Sequence, residues 1–328
     1  LKEKNAKKSK IKTSEIIRVG GMALLNGVMM RSPNFLAVAL DLGNGKIGLV
    51  SRKLKSLRVK YSFLSWPIIR GFVLIIETIA SAAVAYAFVS RFATKAPAIR
   101  KAKRSYNCLS LIFYLLVISL VFDYFLVKTE NSKIAYQLPL MYNLLTNLFF
   151  VLAFIIFFTI VFQTGGEGKI LSYHGAEHKT INAYEHGAKL EPEEIKKFSR
   201  LHPRCGSIVA GYTIIIASAL VILVPKNINW FLYFLFSTFS LFLSFSLAFE
   251  LTLLLIRFYK NRISALLLWP AFVFQALVTR EPEEQQLKIA VAALEEVVLR
   301  EEEMELSKNN KKERRKYGKS ANPRRSKL

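Results

Sequence analysis

The chain reads as a mainly α-helical, polytopic membrane protein of about four spans plus one re-entrant or interfacial helix, with a small β-containing element near its amino terminus. Two observations predict this class. Of 328 residues, 52% are hydrophobic and 25 are Phe, and the mean hydropathy is +0.30, high for an ordinary soluble domain. Several apolar stretches also approach the ~20 residues that a helix needs to cross a bilayer.

Charge sets the expected surroundings. Lys and Arg total 47 against 23 Asp and Glu, a formal charge of +24, with the excess in tails and short loops. Basic ends beside apolar spans mark a cytoplasmic surface next to anionic lipid, so membrane lipids are the expected partners. The tails lack the aromatic interleaving and fold motifs of a nucleic-acid binder, which argues against that partner. The two cysteines, Cys108 and Cys205, lie in different surroundings and indicate no disulfide framework. The charged first eighteen residues show no cleavable signal peptide.

Residues 1–17 form a basic, disordered amino terminus. Residues 18–65 hold the β-containing element, because "FLAVALDLGNGKIGLVSRKL" sets two apolar stretches about a Gly-Asn-Gly turn, a hairpin signal. A membrane domain then covers 66–282. Its first stretch, 66–92, is interrupted by Arg70 and Glu77 on roughly one helical face and reads as the re-entrant or interfacial helix. The spans are 107–127, 140–163, 207–224 and 230–256.

Loop charges orient them. The 93–106 loop holds Lys95, Arg100, Lys101, Lys103 and Arg104, whereas 128–139 holds only Lys128 and Lys133, and 225–229 only Lys226. By the positive-inside rule, both termini and loop 164–206 face the cytoplasm in a multi-pass protein of the cytoplasmic membrane. After the last span, an apolar segment split by Pro270 is expected along the membrane surface. Leu287, Val291, Leu294 and Val298 recur at helical spacing in an amphipathic helix over 283–306. The basic tail 307–328 is expected to be disordered.

The chemistry is concentrated in one window. "YHGAEHKTINAYEHG", 173–187, holds three of the four histidines, and the fourth, His202, follows in "LHPRCG". On a helix, His174 and His178 stand one turn apart on one face and can close on one metal ion. Glu177 completes an H-x-x-E-H pattern, in which the glutamate holds and deprotonates a metal-bound water. His202 and Cys205 are both metal-ligand types, kept off a regular helix by Pro203. Glu250, an intramembrane carboxylate, is a further candidate ligand.

Other readings accompany these. An i, i+4 histidine pair in a polar helix can simply be solvated; Glu77 can pair with Arg70, and Glu250 with Arg257. Cys205 beside Arg204 can instead act as a nucleophile. His186 turns away from His174, while Glu185 projects on its face about 10 Å along, suited to an outer role. Zinc suits a mixed nitrogen and sulfur site, and iron or manganese one that includes Glu250.

Five motifs carry a resemblance: "GGMALLNGVMMRSP" at 20–33, Arg70-Gly71 with Glu77, the 173–187 window, "LHPRCG" at 201–206 and "TREP" at 279–282. Over about 19–299 the chain resembles the YqhQ-like bacterial membrane proteins, a domain of unknown function described as a predicted metal-dependent enzyme. Met22 and Asn26 stand where that family typically has Gln and Glu, so any contact those side chains make is altered here. Asn182 stands where the family often has His, which argues against 182 as an obligatory ligand. His174, Glu177, His178, His202 and Cys205 all match. The expected activity is metal-assisted hydrolysis of a lipid-linked or peptide substrate at the membrane. The rival expectation is a non-catalytic transporter, sensor or scaffold, with a structural metal site or none.

Overall fold

The computed structural model describes residues 16–24, 26–54, 56–93, 141, 168–220, 223, 229–259 and 261–320. The spans expected at 107–127 and 140–163 lie outside these residues, as does Cys108. What is described is mainly helical, with a small antiparallel sheet at the amino-terminal end.

The sheet is a four-stranded meander, β1 (Gly20–Leu24), β2 (Gly27–Arg31), β3 (Phe35–Gly43) and β4 (Lys46–Lys53), in the order β1-β2-β3-β4. Asn44 and Gly45 join β3 to β4 with φ of 53° and 72°, the double positive φ that an Asn-Gly hairpin turn requires. Its side chains alternate strictly between two cores. Val28, Met30, Ala37 and Ala39 face one, while Met29, Leu36, Val38 and Leu40 face the other. Burial on both faces explains why β3 reads as a nearly unbroken apolar run.

Between the sheet and the long helices, α1 (Leu57–Lys60) and a 3₁₀ turn at Ser62–Ser65 lead into α2 (Ile69–Ala93). The second sheet face packs on Ala85 and Val89 of α2. The first face packs on α3 (Gly168–Glu185) and on α8 (Glu284–Ser320). A short α4 (Pro192–Ile195) begins on Pro at the position where the missing N–H costs nothing. The remaining helices are α5 (Gly206–Leu220), α6 (Trp230–Arg257) and α7 (Arg262–Leu277). Ile208, Leu255, Leu268 and Ala271 bring these three together.

Several expectations change. The 66–92 stretch is one continuous helix from Ile69, with no re-entrant break. Among the described residues, two helices are long and apolar enough to cross a membrane, over Ile69–Phe92 and Thr238–Arg257. Of the span expected at 207–224, the described part is helical in α5, from Gly206 to Leu220. Pro270 does not split α7; the helix passes through it, with Ser264, Leu268, Ala271 and Gln275 buried along one stripe. The α8 helix runs past Leu306 to Ser320, because its Lys, Arg and Glu residues are good helix formers and no proline interrupts them. Along its first half, Leu287, Ile289, Ala290, Ala293, Leu294 and Val297 are fully buried against the sheet and α3, while Lys288, Glu295, Leu299 and Arg300 are exposed on the other side.

The expected charge pairs are also redistributed. Glu77 does not pair with Arg70 but accepts from Ser56 Oγ (2.6 Å) and Leu57 N–H (2.7 Å), and pairs with Arg31 and Arg58. Arg70 instead grips Glu250, with Nε to Oε1 at 2.7 Å. Gly71 makes that junction possible, since a Cβ there would fall 2.6 Å from Ser246 Cα.

Candidate metal centre

Helix α3 supplies the first half of the site. It ends on Gly187 at φ 67°, whose left-handed conformation turns the chain away. His174 and His178 lie one turn apart with ring centroids 4.4 Å apart. His174 Nδ1 lies 2.9 Å from the Val278 carbonyl and His178 Nδ1 2.6 Å from the Arg200 carbonyl. A carbonyl only accepts, so both Nδ1 atoms carry hydrogen and both Nε2 atoms remain as potential ligands. Backing of this kind fixes tautomer and ring orientation in metal-binding histidines.

Cys205 supplies the third donor. It directly precedes α5, where its Sγ accepts from Ser207 N–H (3.5 Å) and Ser207 Oγ (3.2 Å) and lies 3.4 Å from His174 Nε2. The ligand atoms of His174, His178 and Cys205 all lie within 4.8 Å of one another. Donors bound at about 2.0–2.3 Å to one tetrahedral ion stand about 3.3–3.8 Å apart, so shifts of about an ångström close this group on an ion.

The electrostatics fit the same use. Burial would raise the Cys205 thiol, but hydrogen bonds from His174 and His178 outweigh it and hold the thiol well below its ordinary range. Burial would lower His174, but the Cys205 hydrogen bond and the Glu177 charge lift it to about 9. The hydrogen bond they share thus favours the thiolate form of Cys205 and the protonated form of His174 together. Glu177 is 5% exposed, and burial raises its carboxyl despite the nearby His178 and His174. It packs against β1, where a Cβ on Gly21 would fall 2.7 Å from its Oε1. Its carboxylate makes no hydrogen bond among the described residues.

The other sequence candidates stand apart from this group. The His202 ring is 5.9 Å from that of His178, but its Nδ1 accepts from Arg204 N–H (3.3 Å) and its Nε2 points at Glu185 Oε2 (3.4 Å). Burial, then the neighbouring His178, pushes it down to about 4, so it is neutral. Glu185 also pairs with Arg204. Glu250 is held by Arg70 and is not one of the clustered ligands. His186 is turned onto its own helix, with Nδ1 2.7 Å from the Asn182 carbonyl.

Residues that sequence reasoning missed hold the ligands in place. Gln275, fully buried, accepts from His202 N–H (2.7 Å) and donates to the His202 carbonyl (3.2 Å). Arg200 donates to the Ala276 carbonyl (3.0 Å) and to that of Thr279. Gly175 lets the chain at Arg280 lie directly on α3, where a Cβ would strike the Arg280 carbonyl. The "TREP" segment was the available signal, but its neighbourhood acts through backbone carbonyls, which residue identity does not reveal.

The chain is similar to the uncharacterized protein YqhQ of Bacillus subtilis (strain 168), with 26% identity over 306 residues, 89% of this chain and 95% of that protein. No solved structure gives a significant match. Residues 66–300 match the model of DUF1385, described as a protein of unknown function, and the chain therefore belongs to the DUF1385 family.

Proposed function

We propose that the protein is a membrane-bound, metal-dependent hydrolase acting on a lipid-linked or peptide substrate at the cytoplasmic face of the membrane. The observation that carries this reading is an open donor set of three, His174 Nε2, His178 Nε2 and Cys205 Sγ, beside the buried carboxyl of Glu177. Catalytic zinc sites take three protein ligands and keep a fourth position open, whereas structural sites close with four. A donor set of two nitrogens and one sulfur favours zinc over iron or manganese. A bound ion would supply Lewis acidity to polarise water and a substrate carbonyl. Glu177 takes a proton from the attacking water and returns it to the leaving group, a role that a raised carboxyl pKa serves.

Membrane placement rests on the apolar helices and the charge pattern. In this reading 107–127, 140–163, 207–224 and 230–256 cross, and α2 lies beside the bilayer. The sheet covers its second half, and the Glu77 carboxylate is held by Arg31, Arg58 and Ser56 rather than facing lipid.

The test is elemental analysis of purified full-length protein and variants at matched folding. About one zinc per chain is expected in wild type, lost in His174→Ala, His178→Ala and Cys205→Ala but retained in His202→Ala and Glu250→Ala. Loss of metal in His202→Ala would point to a closed structural site and overturn the hydrolase reading, as would metal-free wild type.

A further inference from the structure

The segment that joins the sheet to α2 turns its apolar side chains outward. Through α1 and the 3₁₀ turn, Leu57, Val59, Tyr61, Phe63, Trp66 and Ile68 are all exposed, with Val59, Phe63 and Trp66 at 52%, 51% and 62%. None of the six belongs to a core cluster of the described residues. Their ring contacts stay inside the segment: Tyr61 and Phe63 lie 6.4 Å apart by centroid, and Lys60 Nζ stands 4.8 Å over the Tyr61 ring. An exposed apolar run of this kind marks an interaction surface in a folded protein.

Both ends of the segment are held. At its start the Glu77 carboxylate accepts from Ser56 Oγ and Leu57 N–H. At its end Ile68 N–H donates to Glu250 Oε1 (3.2 Å). Ile68 stands at φ 67°, a left-handed conformation that is strained for a β-branched residue. Such strain persists only where the surroundings over-determine it, and it gathers at sites that have a use. Here the contacts to Glu77 and Glu250 pin the backbone, so the aromatic residues are displayed on a fixed frame instead of being folded into a core.

Charge and position identify what covers this surface. Between Asp41 and Glu77 the sequence holds Lys and Arg but no Asp or Glu, so the surface suits a negatively charged partner. Tyr and Trp beside Lys and Arg settle at the boundary between lipid headgroups and acyl chains, because each joins an apolar body to a polar tip. Glu250 lies seven residues before Arg257, the basic end of an apolar helix long enough to cross a membrane. Seven residues of helix cover about 10 Å, the depth at which interfacial segments seat their apolar side chains. We propose that residues 57–68 are a membrane-surface anchor, with Phe63 and Trp66 seated at the acyl boundary and Lys60 on anionic lipid headgroups. Because β4 ends at Lys53, just before the anchor, the sheet and the α3 helix packed on it are held against the cytoplasmic leaflet, whose surface is negatively charged. The anchor depends on the membrane placement proposed above and is independent of the hydrolase reading.

The experiment uses full-length protein with Trp66 as its sole tryptophan (Trp230→Phe with Trp269→Phe), reconstituted into vesicles of phosphatidylcholine with or without phosphatidylglycerol. Quenching of its fluorescence by brominated lipids is read. Lipid brominated just below the headgroup is expected to quench Trp66 more strongly than lipid brominated at mid-chain. Phosphatidylglycerol is expected to increase that quenching, and Lys60→Glu to abolish the increase with helical circular dichroism unchanged. A second protein, with Trp230 as its sole tryptophan (Trp66→Phe with Trp269→Phe), reports the membrane placement itself. Quenching of Trp230 without quenching of Trp66 would overturn the anchor and leave the placement standing. Strongest quenching of Trp66 at mid-chain would do the same, because the segment would then lie inside the bilayer. Equal quenching of Trp66 with and without phosphatidylglycerol would overturn the assignment to anionic lipid. No quenching of either tryptophan would overturn the anchor and the placement together.

Discussion

At the scale of single residues, the centre is decided by what stands behind each histidine. Val278 and Arg200 carbonyls turn the Nε2 atoms of His174 and His178 towards Cys205, whereas Arg204 N–H and Glu185 turn His202 away. Metal uptake must displace a proton from His174, which the Cys205 hydrogen bond and the Glu177 charge lift to about 9 against the effect of burial, while the same neighbours hold the Cys205 thiol low. Apparent zinc affinity should therefore fall about tenfold per pH unit below about pH 9, as competition titrations at several pH values will read; a flat profile would mean that His174 enters unprotonated. His202 predicts a separate acid effect. Its folded pKa, about 4, lies below the ordinary value of 6.5, so the unfolded chain binds a proton first and stability is lost as pH falls from 6.5 to 4. The shift corresponds to at most about 3 kcal/mol. Denaturation of metal-free protein at pH 7 and pH 5 should show the loss, and His202→Asn should remove it. Above pH 6.5, raised His174 loses stability with rising pH and depressed Cys205 gains it. Both reflect one shared interaction, so their slopes oppose.

At the scale of elements, the centre depends on how closely the chain after α7 lies on α3. Arg280 N–H donates to the Leu171 carbonyl (2.9 Å), and the Arg280 carbonyl occupies the place where a Gly175 side chain would stand. Two effects of Gly175→Ala oppose each other. Helix propensity alone favours alanine by about 1 kcal/mol, but the added Cβ strikes a backbone carbonyl and separates the two elements, withdrawing Val278 from His174. Loss of such outer support typically costs 10–100-fold in metal affinity. Gly175→Ala should therefore keep its helical circular dichroism and lose about that much zinc affinity. Unchanged affinity would show that the 278–282 segment does not position the ligand.

At the scale of the whole molecule, the sheet, α3 and α8 form one packed unit, and α5, α6 and α7 meet in a second cluster. Helix α2 joins them: Ala85 and Val89 pack on the sheet and Glu77 pairs with Arg31 of β2, while Gly71 lies on Ser246 and Arg70 on Glu250 of α6. The Arg70 and Glu250 side chains are 32% and 21% exposed, so breaking this pair costs less than a fully buried one, about 1–2 kcal/mol. Arg70→Met and Glu250→Leu should each lower the thermal midpoint in detergent, and the double variant should recover most of the loss with zinc content unchanged. Additive losses would mean that each side chain matters for a different reason.

Much of this organisation was legible locally. The 3.6-residue period placed His174, Glu177 and His178 on one part of α3, Asn44-Gly45 announced its hairpin, and mean hydropathy marked the apolar helices. Such features depend on residues within a turn or two, which a linear sequence displays directly. The third member of the group was not legible: Cys205, His202 and Glu250 are all chemically suitable, and which one meets the two histidines depends on carbonyls 22 and 104 residues away from the rings they turn. Charge partners failed for the same reason, because helix spacing matched Glu77 with Arg70 while packing brought Arg31 to the one and Glu250 to the other. Local periodicity determined which residues share a face. Only the tertiary packing decided which faces meet, because those contacts join backbone segments far apart in the chain.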